Sequence, residues 1–191
     1  MTNRFAEIAF TRSVRNAQSE YGFPDLAETL REHGMANDVL GQREQEFIKD
    51  RDSFYLATVG ETGWPYVQHR GGPKGFVKVV DPKLLAFADF RGNRQVVSAG
   101  NASINDRCSV IFMDYPNRRR LKILGLLQVQ RQDLAPVAVR ESIQLPGYRA
   151  HIERVAMISI VAFDWNCPQH IARRYTEDEI SRFLGSVTPF R

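Results

Sequence analysis

The chain has 191 residues, 43% hydrophobic and 25% charged, enough for one sizeable core and short for two, so a single domain over residues 1–191 is expected. No apolar run approaches the length of a membrane span, and Met1-Thr2-Asn3-Arg4 lacks the apolar core of a signal peptide, which points to a cytoplasmic protein. The net charge of +4 permits an acidic partner, yet 26 Lys and Arg stand against 22 Asp and Glu and are scattered outside Arg118-Arg119-Arg120-Leu121-Lys122. That favours a local anion site over a stripe that tracks nucleic acid.

Residues 1–50 read as helical cover. Phe10, Val14, Ala17 and Tyr21 share one helix face that Gly22 ends; Pro24 suits a first turn before Leu26 and Leu30, with Gly34 as a stop; Gln42 to Asp50 packs through Phe47 and Ile48. From Ser53 the pattern changes to strands. Ser53 to Val59 and Pro65 to Gln68 flank a turn at Gly60–Gly63, and Phe76 to Val80 and Leu84 to Asp89 flank Asp81-Pro82-Lys83. A short helix follows over Val96 to Ala99. Arg107 to Asp114 and Arg118 to Gln130 are strands about the turn Tyr115-Pro116-Asn117, and residues 132–144 read as a helix ended by Pro146-Gly147. Glu153 to Trp165 is a last long strand, and Thr176 with Glu179 forms a capping box before Ile180, Phe183 and Leu184. Six or seven strands with helices at both ends and one between imply a closed sheet flanked by helices. Cys108 and Cys167 are too few for a disulfide framework and have no metal-ligand spacing with the four histidines, so both are read as buried free thiols.

The octapeptide His69-Arg70-Gly71-Gly72-Pro73-Lys74-Gly75-Phe76 interrupts this sheet with two cations and three glycines, where backbone and charge can approach an anion. It reads either as a phosphate site or as a glycine turn with two solvated cations. No Gly-Lys-Ser/Thr closes it as a Walker loop. Alternation puts Gln68 and Arg70 on one strand face. It puts Leu121, Ile123, Leu127 and Val129 opposite Arg120 and Lys122. Cations thus stand beside a turn or glycine at three places: Arg70 with Lys74, Arg94, and Arg120 with Lys122.

Four separated motifs carry a family resemblance. They are Gly63 to Phe76, then Gly92-Asn93-Arg94-Gln95 with Ser98 to Asn101, then Asp114-Tyr115-Pro116 with Arg120 to Gly125, and finally Asp164 to Ile171. In this order they resemble the flavin-binding proteins related to pyridoxamine 5′-phosphate oxidase, over roughly Phe47 to Arg174. The resemblance implies a mainly β fold with flanking helices, a split β-barrel, and a homodimer holding FMN at the subunit interface. It further implies an oxidoreductase acting on a small molecule, or a flavin-binding sensor or store without turnover. Related split barrels use a deazaflavin or haem in FMN's place, and a nucleic-acid-binding barrel is the reading from another class.

By the resemblance, Arg70, Arg94 and Gln95 lie on the phosphate or ribityl side, Lys74 lies near the ring edge or substrate, and Gly71, Gly72 and Asn93 also bind the cofactor. Arg120, with Lys122 beside it, takes the position of a residue that hydrogen-bonds flavin. Trp165, Gln169, His170 and Arg174, with Arg173 as its alternative, approach from the partner subunit. Trp165 reads equally as a core aromatic and His170 as a structural histidine. The oxidase's C-terminal Arg-x-His pattern, which holds its substrate's phosphate, is not matched in Gly185 to Arg191. The resemblance therefore extends to the cofactor and not to that substrate.

Overall fold

The computed structural model describes residues 3–165 and 168–186, apart from the side chains of residues 31–33 and 186. Cys167 and the stretch from residue 187 onward, which entered the sequence reading, lie outside the described residues.

Four helices open the chain: α1 (Arg4–Ala9), α2 (Arg12–Glu20), α3 (Leu26–His33) and α4 (Gln42–Lys49). The single helix expected around Phe10 is two, because Thr11 turns its hydroxyl onto the Val14 N–H and starts α2 afresh. Pro24 falls outside α3, since Asp25 caps it by accepting from Ala27 and Glu28. α4 buries Glu44, Phe47 and Ile48 against the sheet. In α2 no residue is buried, and Tyr21 is 75% exposed, so the expected cover does not extend to that helix.

The strands are β1 (Ser53–Val59), β2 (Pro65–Gly71), β3 (Lys78–Asp81), β4 (Leu84–Phe90), β5 (Arg107–Asp114), β6 (Arg119–Arg131) and β7 (Ile152–Trp165). They form one antiparallel sheet in the order β2-β1-β5-β6-β7-β4-β3. The edge strands β2 and β3 are not paired with each other, so side chains and not a hydrogen-bond ladder close the curl. This is an open, split form of the closed sheet that alternation implies.

Phe54 of β1 is the hub of the interior. Its ring meets Phe87 of β4 at 5.1 Å, Phe112 of β5 at 5.2 Å and Phe76, from the turn after β2, at 5.8 Å. Strands far apart in the sheet order therefore touch across its concave face. β4 reads as a continuous apolar run because it is buried on both faces. Leu85 and Phe87 point inward, while Ala86 and Ala88 meet Val139 and Ile143 of α6 (Val137–Ser142) and its flank. α6 is shorter than the sequence suggests, since Pro136 lacks an N–H and a separate 3-10 turn, Gln132–Leu134, precedes it. Cys108 is buried and free, its thiol pushed up to about 12 by burial and by nearby Asp106.

The β5–β6 turn is locked by Asp114, only 1% exposed. Its Oδ2 accepts from Arg119 Nη2 at 2.7 Å and Nε at 3.1 Å, and its Oδ1 accepts from the Asn117 N–H at 3.1 Å. Burial alone would raise its pKa, but Arg119, Asn117 and Arg51 together hold the carboxyl below its ordinary value. Arg118, at φ 53°, spends itself on the turn, so β6 begins at Arg119.

Two outcomes follow from this packing. A Cβ on Gly125, at the irregularity between β6 and β7, would lie 2.5 Å from Ile158 Cγ2 and 2.8 Å from the Ser159 carbonyl oxygen. Gly125→Ala should thus cost about 1–3 kcal/mol in urea unfolding. For Asp114, a depressed folded pKa means stability that is present above the unfolded value of about 4 and lost as pH falls through the folded one. The variant Asp114→Asn should be less stable at neutral pH and show a flatter loss of stability between about pH 5 and pH 2.

Candidate functional site

At one mouth of the barrel a pocket of about 190 Å³ opens between β2, β4, β7 and the segment that links β4 to α5 (Val97–Ile104). Alternation supplies its walls. The inward positions of β2 are Gln68 and Arg70, those of β4 are Phe87 and Asp89, and β7 contributes Arg154 and Ala156, with Leu127 and Val129 of β6 as the apolar floor.

Charge is concentrated here. Asp89, 6% exposed, accepts from Arg70 Nη1 at 2.7 Å through Oδ1 and from Arg154 Nε at 2.7 Å through Oδ2. Arg70 Nε is buried and has no hydrogen-bond partner among the described residues. An orphaned guanidinium N–H of this kind costs about 1–3 kcal/mol unless a ligand satisfies it.

The linking segment closes the pocket under backbone strain. Arg94 at φ 61° and Val96 at φ 54° both sit in the left-handed region, which a β-branched residue rarely enters. Asn93 Oδ1 accepts from the Gln95 N–H at 3.2 Å and folds the segment back on itself. Val96 is the N-cap of α5 and offers no side-chain hydrogen bond, so the first turn of α5 is left open beside Arg94, where Ser98 and Ala99 line the pocket. Ser98 is 1% exposed and its Oγ lies 3.5 Å from Gln68 Oε1, tying α5 to β2. Cations, an open helix N-terminus and an unsatisfied N–H form a cradle for an anion.

Of the residues singled out in the sequence, Arg70, Asn93, Arg94 and Gln95 come together at this pocket. The glycine loop is spent elsewhere. Gly72 and Gly75 donate their N–H groups to the carbonyls of Asp52 and Arg51, and a Cβ on Gly72 would strike the Phe76 ring at 2.7 Å. Lys74 is paired with Asp50 at 2.8 Å, and Gly71, at the end of β2, does not line the pocket.

The remaining candidates lie away from the pocket. Arg120 faces outward on β6, its Nε buried and without a partner among the described residues, next to Lys122, which lies 3.4 Å from Asp164 and beside the Phe5 ring. Trp165 donates its indole N–H to the buried carboxylate of Glu44 at 2.7 Å and meets Phe47 edge-on at 4.8 Å. Gln169 and His170 are exposed, and Arg174 sits over the Tyr115 ring at 5.0 Å.

Sequence reasoning gave no site role to Asp89, Arg154 or Ser98, although Ser98 stood in the second motif. The signal for two of them was present: Asp89 continues the inward alternation Leu85, Phe87, and Arg154 that of Ala156, Ile158. A charge on the buried face of a strand needs a partner.

The strain at Val96 predicts that Val96→Asn, which tolerates left-handed backbone better, raises stability by about 1 kcal/mol in thermal or urea unfolding. A loss of stability would show that Val96 contributes packing that outweighs its strain.

The sequence pattern of the family described as Pyridoxamine 5'-phosphate oxidase matches residues 40–154, the span that supplies the pocket and most of the barrel. Among solved structures, HupZ from Group A Streptococcus is similar at 15% identity and a TM-score of 0.50, covering 71% of this chain and 99% of its own. A protein from Clostridium acetobutylicum, related to general stress protein 26 of B. subtilis in the pyridoxinephosphate oxidase family, is similar at 16% identity and a TM-score of 0.46, covering 72% and 94%. An FMN-binding protein from Syntrophomonas wolfei subsp. wolfei is similar at 9% identity and a TM-score of 0.44, covering 64% and 86%. At 15% identity the likeness to HupZ concerns the fold. No protein of curated function matches by sequence. With the family's pattern running through β1 to β6 and into β7, this split-barrel chain belongs to the pyridoxamine 5'-phosphate oxidase family.

Proposed function

We propose that the protein is an FMN-binding flavoprotein, one domain working in the cytoplasm as a homodimer, which acts as an oxidoreductase on a small molecule. The observation that carries this reading is Arg70. Its buried Nε lacks a partner among the described residues and stands at a pocket shared with Arg94 and the open first turn of α5. A phosphate monoester needs fixed cations and backbone N–H groups, and these residues fit it.

In this reading Arg70 and Arg94 hold the phosphate, and Asn93 and Gln95 shape the polar segment beside it. The pocket, at about 190 Å³, suits a phosphate and a few chain atoms, so a three-ring system requires apolar surface beyond it. That requirement supports a second copy as part of the site. Arg120, Lys122, Trp165, Gln169, His170 and Arg174 stand away from the pocket of their own chain, and Trp165, Gln169, His170 and Arg174 are the ones the resemblance assigns to a partner. Lys74, within the glycine loop, would have to leave Asp50 to meet a substrate or the ring edge as the resemblance implies. A bound flavin supplies electron transfer to and from the small molecule; the chain's own residues bind, orient and shield it.

Purified protein should be yellow or become so on addition of FMN, and should bind FMN more tightly than riboflavin. Arg94→Ala should weaken FMN by about tenfold or more, leave riboflavin unchanged and leave thermal stability intact, because Arg94 is exposed. Absorbance and fluorescence titrations decide the matter. Absence of binding to either flavin overturns the cofactor, and equal affinities for the two remove the role of the phosphate.

A further inference from the structure

The pocket mouth carries more charge than the phosphate reading uses. Three guanidiniums, Arg70, Arg94 and Arg154, line the pocket with one carboxylate, Asp89, a net charge of +2 among the lining residues. Arg154 lies on β7, 84 positions from Arg70, and reaches the same carboxylate at the same 2.7 Å, each arginine taking a different oxygen. Asp89 therefore does for the two arginines what an incoming anion would do: it accepts a charge-assisted hydrogen bond from each. Arg154 has a further carboxylate, Glu153, at 3.5 Å, but Glu153 is already held by Arg91 at 2.9 Å, outside the pocket. The orphaned Nε of Arg70 shows that Asp89 satisfies this pair only in part.

We propose that Arg154 is a third anion-holding cation of this pocket and that Asp89 is its internal counter-ion, which restrains anion affinity and matches the site to a phosphate monoester dianion. The inference rests on the reading of the pocket as a phosphate site. At pH 7 a phosphate monoester carries close to two negative charges, which is what the pocket lacks. A neutral ligand gains nothing from Arg154. A single negative charge leaves one guanidinium unbalanced. Asp89 keeps two cations together at the barrel mouth before the ligand arrives, at the cost of competing with it for the same N–H groups.

The test uses the full chain with FMN, riboflavin and inorganic phosphate as probes, read by flavin fluorescence and by thermal unfolding. Arg154→Gln should lower FMN affinity by about tenfold with riboflavin affinity unchanged, and Arg154→Lys, which keeps the charge, should restore most of the preference. The isosteric Asp89→Asn should melt earlier without ligand, yet bind FMN about tenfold more tightly and gain more thermal stability from inorganic phosphate than the native chain does. A purely structural ion pair predicts lower melting temperatures with an unchanged ratio of FMN to riboflavin affinity in every variant, and that result overturns the inference. So does weaker FMN binding by Asp89→Asn. If Asp89→Asn does not fold, the pair Arg154→Gln and Arg154→Lys decides by the same ratio. Stabilisation by inorganic phosphate that Arg154→Gln abolishes, with no binding of either flavin, upholds this inference and removes the flavin. Flavin binding with an unaltered ratio in Arg154→Gln does the reverse.

Discussion

One buried carboxylate shared by two arginines holds the open end of this barrel, and much of the molecule depends on it. The sheet has two edge strands that do not pair with each other, so no backbone ladder fixes the distance between β2 and β4. Asp89 on β4 takes Arg70 from β2 on one oxygen and Arg154 from β7 on the other. The contact is polar because it lies at the pocket mouth, among Asn93, Arg94 and Gln95. A few residues deeper, β1, β4 and the turn after β2 meet through Phe54, Phe87 and Phe76, where aromatic burial and packing can do the work. The barrel is therefore held by apolar rings inside and by charge at its rim.

The N-terminal region closes the structure elsewhere by the same economy of shared partners. Glu44 is buried in α4 and serves two donors, the Gly41 N–H at 3.0 Å as a helix cap and the Trp165 indole at 2.7 Å. Asn37 joins Asn3 to the Phe163 carbonyl, so that α1 is fastened to β7 through one amide. Buried polar groups are acceptable where they are paired, and the pairings of Glu44 with Trp165 and of Asn37 with Phe163 join segments far apart in sequence. Among the described residues Gln18 Oε1 departs from this rule, and so do Arg70 Nε and Arg120 Nε. The two arginine nitrogens lie on opposite faces of the sheet, one in the pocket wall and one on the outward face of β6.

Most of the strands were legible from the chain because a half-buried strand must alternate. Phe54, Leu56 and Thr58 on β1, or Leu121, Ile123 and Leu127 on β6, can satisfy the core in only one orientation. The helices were less legible. Capping by Thr11 and Asp25 moved two boundaries, and Pro136 split a third helix, because local hydrogen bonds compete with periodicity at helix ends. The glycine loop drew attention for its composition. Its N–H groups turn out to dock the β2–β3 connection onto the residues before β1, a use that no local pattern announces.

What the amino-acid sequence by itself determined was the order of strands, their inward faces, and the presence of Arg70 and Arg94 beside turns, since these depend on alternation and turn chemistry within a few residues. Its ordered motifs also sufficed to place the chain in its family. Only the tertiary structure decided which charges meet. Asp89 and Arg154 lie 65 positions apart and become partners because β4 and β7 are neighbours in the sheet, with Asp89 opposite Arg154 in register. Arg70 joins them because the curl of the sheet brings β2 across to β4 without any ladder between them. Pairing across a sheet is a property of register and curvature, and neither is written in the composition of a single strand.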